Sequence, residues 1–181
     1  FDTKALAVSG EPIAVADPVR FIPAAARGVF DVSQNGRMVF QSGASVMGSQ
    51  MVWRNLEGEE LSRLGDIQMQ DSPQISPDGR YVSYETFFTG GGTGDIWIQD
   101  LERNITSRFT FDISADENAV WSHDGKRLAF SRTRDGKFGV YVKEFGGAST
   151  AELFLQTDGL VFVTDWTRDH IIYFATDSTN V

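Results

Sequence analysis

The sequence predicts an all-β fold, a β-propeller built of four-stranded antiparallel blades. Three observations carry that reading. A turn phrase centred on Ser or Thr recurs at Ser33, Ser76, Ser122 and Thr167, in steps of 43, 46 and 45 residues. An aromatic residue in a short apolar run recurs at Trp53, Trp97 and Tyr141, in two steps of 44. The segments around both landmarks alternate apolar and polar positions, rich in β-branched and aromatic residues, as half-buried strands do. A period of about 40–50 residues made of strands belongs to propellers.

The elements follow in chain order. Residues 11–16 read as an outer strand. Three full blades occupy about 28–65, 72–111 and 118–156, and residues 163–175 supply the first two strands of another, all within one propeller region spanning 1–181. Each repeat reads as strand, tight turn, strand, longer loop, strand, turn, strand. In the second repeat the strands fall at about 73–76, 80–86, 95–100 and 106–111. The turn Ser76-Pro77-Asp78-Gly79 has the chemistry of a type I turn: Ser bonds the backbone ahead, Pro77 presets φ, and Gly79 takes a positive φ. Residues 55–65 carry Leu56, Leu61 and Leu64, but Gly58 interrupts them and the period places a hairpin there. The fourth turn, Thr167-Arg168-Asp169-His170, lacks the Gly. A one-residue deletion aligns Phe174 with Tyr84 and Phe130. A blade assembled from both chain ends would have its first, second and outer strands but no third. Its open edges are a route to self-association.

Composition narrows the function. Lys plus Arg is 16 against 25 Asp plus Glu, a net charge of −9. That balance excludes the basic footprint of a nucleic-acid binder and a basic membrane-surface helix. Apolar runs are too short to insert in a membrane as helices. There is no Cys, which removes thiolate chemistry and disulfides, and there are only two His. The chain opens on Phe1, which reads as a mature or excised segment. These counts lean away from an enzyme, and no cofactor is expected.

Ser76-Pro77-Asp78-Gly79-Arg80, Asp95-Ile96-Trp97 and Ala119-Val120-Trp121-Ser122-His123-Asp124-Gly125 resemble the TolB-like, WD40-like (PD40) propeller repeats, over nearly the whole chain. The run Thr106-Ser107-Arg108-Phe109-Thr110-Phe111-Asp112 is similar to a phrase in propellers that follow bacterial eukaryotic-like serine/threonine kinase domains. The resemblance implies a sensing or scaffolding module placed outside the cytoplasm, with a protein or small ligand as partner. Kinase motifs are absent from the chain itself. Two alternatives stand beside a kinase-linked sensor. One is the gating propeller of a prolyl-oligopeptidase-like serine peptidase; the other is a TolB-like periplasmic assembly protein.

Candidate binding residues lie where the chain enters the inner strands: Asp71, Glu117, Asn118 and Asp165. In a propeller these strands line the central channel, so their ends could meet at one mouth and hold a cation or a basic ligand. Other groups read as structural. Ser122-His123-Asp124 are consecutive in a tight turn and cannot form a relay. Gly90-Gly91-Gly92-Thr93-Gly94 lacks the Lys and the helix of a phosphate loop and reads as exposed, with Phe87 and Phe88 beside it. Asp112, Asp116 and Glu117 lack calcium-loop spacing and read as a solvated loop. Trp53, Trp97, Trp121 and Trp166 read as packing between blades. No catalytic and no metal-binding residue is assigned.

Overall fold

The computed structural model describes residue 19 and residues 21–22, 27–33, 36–42, 48–87 and 94–176. The outer strand expected at 11–16 and most of the Gly-rich loop at 90–94 lie outside them. A short pair, β1 (Phe21–Ile22) and β2 (Arg27–Gly28), precedes three four-stranded antiparallel sheets. The first holds β3 (Phe30–Val32), β4 (Met38–Ser42), β5 (Ser49–Arg54) and β6 (Glu60–Gln68). The second holds β7 (Gln70–Ile75), β8 (Tyr81–Thr86), β9 (Asp95–Asp100) and β10 (Ile105–Arg108). The third holds β11 (Ala115–Trp121), β12 (Arg127–Arg134), β13 (Lys137–Glu144) and β14 (Glu152–Thr157). A last pair, β15 (Val161–Trp166) and β16 (Ile171–Ala175), follows. Among the described residues there is no helix, and residues 55–65 form the expected turn and strand.

The Ser-centred turns explain the repeat. Gly79 N donates to Ser76 O at 2.8 Å, and Tyr81 N donates to Ser76 Oγ at 2.9 Å. Ser76 Oγ donates to Asp78 Oδ1 at 2.6 Å, so one hydroxyl both closes the turn and orients its carboxylate. The turn at Ser122 repeats these contacts with Gly125, Arg127 and Asp124. Gly79 sits at φ +72° and Gly125 at φ +69°, where a Cβ would be strained. The fourth turn is shorter by two residues, not one. Trp121 pairs with Leu128, whereas Trp166 pairs with Ile171, and Thr167 N donates to His170 O at 2.9 Å. Counted from these pairs, Tyr173 takes the place of Phe130 and Tyr84, and Phe174 stands where Ser131 does. The shorter turn removes the residue that needed Gly.

Apolar clusters lie between successive sheets, which stack face to face as propeller blades. Val39, Met51, Trp53 and Leu64 of the first sheet meet Ile75, Val82 and Tyr84 of the second. Ile96, Ile98 and Phe109 meet Ala119, Trp121, Leu128 and Phe130 of the third. Val120, Ala129 and Val140 meet Val161 and Val163 of the last pair. Side chains alternate between faces, so a shift of one position reverses which neighbour a residue touches. Trp97 pairs with Tyr84 and Tyr141 with Phe130, on the face toward the preceding sheet. Trp53 pairs with Val39 and points the other way, and Val52 is the true counterpart of Trp97. Trp53 and Trp97 thus meet across one interface: the equal spacing of 44 residues is not an equal register.

Candidate functional site

Three residues one structural period apart tie each sheet to the next. Gln41, Glu85 and Ser131 each lie three positions beyond the first core residue of a second strand. Gln41 Nε2 donates to Gln70 O. Glu85 Oε2 accepts from Asn118 N at 2.8 Å, and Ser131 Oγ accepts from Val163 N at 3.1 Å. Every one of these contacts crosses to the first strand of the following sheet. The equivalent position in the last pair is the apolar Phe174.

Glu85 is the chemically distinct member. Its register partner on β7 is Asp71, and Ser72 Oγ donates to its Oε1 at 2.9 Å. Both donors reach it because the first strands bulge there. The ladder shifts between Asp71 and Gln74 on β7, and between Glu117 and Val120 on β11. Ser72 and Asn118, in the two bulges, adopt φ of 50° and 55°. Burial pushes the Glu85 carboxyl up to about 7; the Asn118 amide opposes the shift, and the charges of Asp71 and Glu117 add to it. The sequence candidates Asp71, Glu117 and Asn118 therefore come together, around a Glu that the sequence reading missed. Its signal was available: Glu85 sits 44 residues after Gln41 and 46 before Ser131, in the same rhythm as the turns.

Asp165 lies elsewhere. It is exposed, near the turn end of β15, and its charge acts on Asp31 of β3. Asp31 Oδ2 accepts from Ile75 N at 2.6 Å, and burial holds its carboxyl above the usual range despite that bond. Around Asp31 and Asp165 the four first strands converge on a cavity of about 290 Å³, also lined by Gln74, Trp121, His123 and Trp166. The four sequence candidates thus fall into two sites, three at the bulges and one at the turn end.

The remaining polar groups have structural partners. Ser122 Oγ donates to Asp124 and no relay passes through His123. Asp112 and Asp116, read from the sequence as a solvated loop, instead pair with Arg132. Asp116 is fully buried and takes two bonds from that guanidinium, at 2.6 and 2.9 Å. The charge pair explains the aspartates without a cation. Among the described residues no group of three or more His, Cys, Asp and Glu is placed to hold a metal ion. No helix among them is long and apolar enough to cross a membrane.

No family model matches the chain. The Tol-Pal system protein TolB of Helicobacter pylori is 24% identical over 106 residues, covering 59% of this chain and 25% of that protein. TolB of Alcanivorax borkumensis is 41% identical over 68 residues, 36% of this chain and 15% of that protein. The chain thus matches a quarter or less of the length of these relatives. Among solved structures, a TolB-type protein of Agrobacterium tumefaciens superposes with a TM-score of 0.74 at 15% identity, over 89% of this chain and 58% of that one. The β-propeller domain of a trilobed protease from Pyrococcus furiosus gives 0.57 at 20% identity, over 76% and 43%. In fold the chain is a stretch of β-propeller blades, and in sequence it is similar to TolB.

Proposed function

We propose that the chain is a non-catalytic, protein-binding part of a propeller, and that it receives a basic segment of its partner in the concavity where the four first strands converge. The observation that carries this reading is the composition of that concavity. Two carboxylates, Asp31 and Asp165, line it together with Gln74, the buried Trp121, and Trp166, whose ring already carries the Arg127 guanidinium at 5.0 Å. Carboxylates gathered in a concavity suit Lys and Arg side chains, through charge-assisted hydrogen bonds. The net charge of −9 steers such a ligand inward. Similarity to TolB, named as a protein of the Tol-Pal system, favours a protein partner over a metabolite.

The test is fluorescence anisotropy with a labelled Lys/Arg-rich decapeptide at two salt concentrations. Binding should weaken with salt and fall about tenfold or more in Asp165→Lys, as like charges meet. Affinity indifferent to both changes would overturn the reading. The finer assignment, a sensor or scaffold attached to a bacterial serine/threonine kinase, rests on the phrase at residues 106–112 and is tested by the complete reading frame. Kinase motifs beside this segment would support it. A Gly-x-Ser-x-Gly elbow would support the peptidase gate instead, and a signal peptide without a kinase would support the TolB-like assembly role.

A further inference from the structure

A second cavity, of about 510 Å³, lies between the second and third sheets, away from the converging first strands. Phe111 and Asp112, in the segment that leaves β10, form one wall. Arg132, Arg134 and Lys143 of the third sheet form the other, and the turn between β13 and β14, with Ser149, lines a further part. Its electrostatics run against those of the chain as a whole. Arg132 is satisfied by Asp116 and by Asp112 at 3.2 Å, and Arg134 lies 3.7 Å from Asp112. Among the described residues no carboxylate lies within ion-pair distance of Lys143. Its ammonium donates to Phe109 O at 2.6 Å and lies over the rings of Phe109 and Phe111. Arg132 is thus paired with Asp116 and Asp112, and Arg134 with Asp112 and Asp135, which leaves Lys143 as the cation of this wall without a carboxylate partner among the described residues.

Two further features point to a ligand. Among the described residues the Ser149 hydroxyl is buried without a hydrogen-bond partner, a condition that native proteins seldom leave unexplained. An ammonium has three donors, and among the described residues Lys143 makes one hydrogen bond. Beside them Phe111 is 70% exposed, with Arg108 5.2 Å from its ring centroid, so an accessible aromatic side chain adjoins unspent donors. The volume suits a small molecule.

We propose that this cavity binds a small organic carboxylate with a planar apolar body. The carboxylate accepts from Lys143 Nζ and Ser149 Oγ, its single charge meets the ammonium that lacks a carboxylate partner, and its body packs on Phe111. Nothing in this assignment depends on the partner-binding concavity.

Titration of benzoate into the isotopically labelled chain at constant ionic strength, followed by amide chemical shifts, tests it. Saturable shifts should centre on Ser149, Thr150 and Phe111. Lys143→Gln should weaken binding about tenfold to a hundredfold, the range for loss of a charged hydrogen bond. Ser149→Ala, which leaves the charges and the core intact, should weaken it by a smaller factor and serves if the Lys143 variant does not fold. Shifts that never saturate, equal affinity in Ser149→Ala, or binding of benzyl alcohol or inorganic phosphate as tight as that of benzoate would each overturn the proposal.

Discussion

Replacing Glu85 by Gln should make the protein less sensitive to alkaline pH. Gln keeps the shape, its Oε1 can accept from Asn118 N, and its amide can donate to Ser72 Oγ. What it removes is a charge buried at 4% exposure beside Asp71 and Glu117. The carboxyl rises from its ordinary 4.5 to about 7 on folding, so the fold binds this proton more tightly than the unfolded chain does. Its stabilising contribution is complete below 4.5 and is lost as pH rises toward 7. At about 1.4 kcal/mol per pKa unit the full loss is on the order of 3 kcal/mol. Urea unfolding of both proteins at pH 5 and pH 8 isolates this effect, since every other titrating group is common to the two. The difference in unfolding free energy should move by about 2–3 kcal/mol in favour of Glu85→Gln between the two conditions. A difference that does not change with pH would mean that Glu85 is not buried as a neutral acid, and would refute the packing of β8 against the two bulges.

Trp121→Ala should cost about 3–5 kcal/mol in urea unfolding, because the ring packs edge-on against Phe145 at 5.0 Å and stacks with Tyr81 at 6.2 Å. Arg132→Met should cost a similar amount, about 3–5 kcal/mol, by leaving Asp116 buried and unpaired, and a thermal melt would show the loss. Gly79→Val should cost about 1–2 kcal/mol in the same measurement, since φ +72° suits no β-branched residue. Among the described residues β16 pairs only with β15, and Phe162, Ile172 and Phe174 form an apolar face, with Phe162 and Phe174 stacked at 4.9 Å. Sedimentation velocity should therefore show concentration-dependent association that Phe174→Lys suppresses; identical behaviour of the two proteins would assign association to another surface.

The blades were legible in the sequence because their turns are local. Ser76 and Ser122 satisfy their own turn amides within five residues, and Gly79 and Gly125 supply the backbone freedom at fixed offsets, so the chemistry repeats as letters. The antiparallel order of strands follows from those turns and from two-residue alternation. Register did not. Trp97 and Tyr141 share a face, but Trp53, at the same spacing, lies on the opposite one, since an alternating strand turns a one-residue difference in a loop into a reversal of direction. The last turn likewise shortened by two residues where the text suggested one, and Tyr173 rather than Phe174 took the aromatic position.

The candidate site divided along the same line. Asp71, Glu117 and Asn118 were visible as polar residues at the entrances to inner strands, and Asp165 looked like their equivalent. The sequence by itself determined the fold class, the turns, and the positions where polar groups interrupt apolar strands. Only the tertiary structure decided that Glu85 belongs with three of the four candidates, that Asp165 belongs with Asp31, and that Arg132 neutralises Asp116. These groups lie 14 to 134 residues apart in the chain. Their arrangement depends on bulges that let a backbone amide of one blade reach a side chain of the one before it, and on burial that fixes which charges survive, and neither is written in the order of the residues.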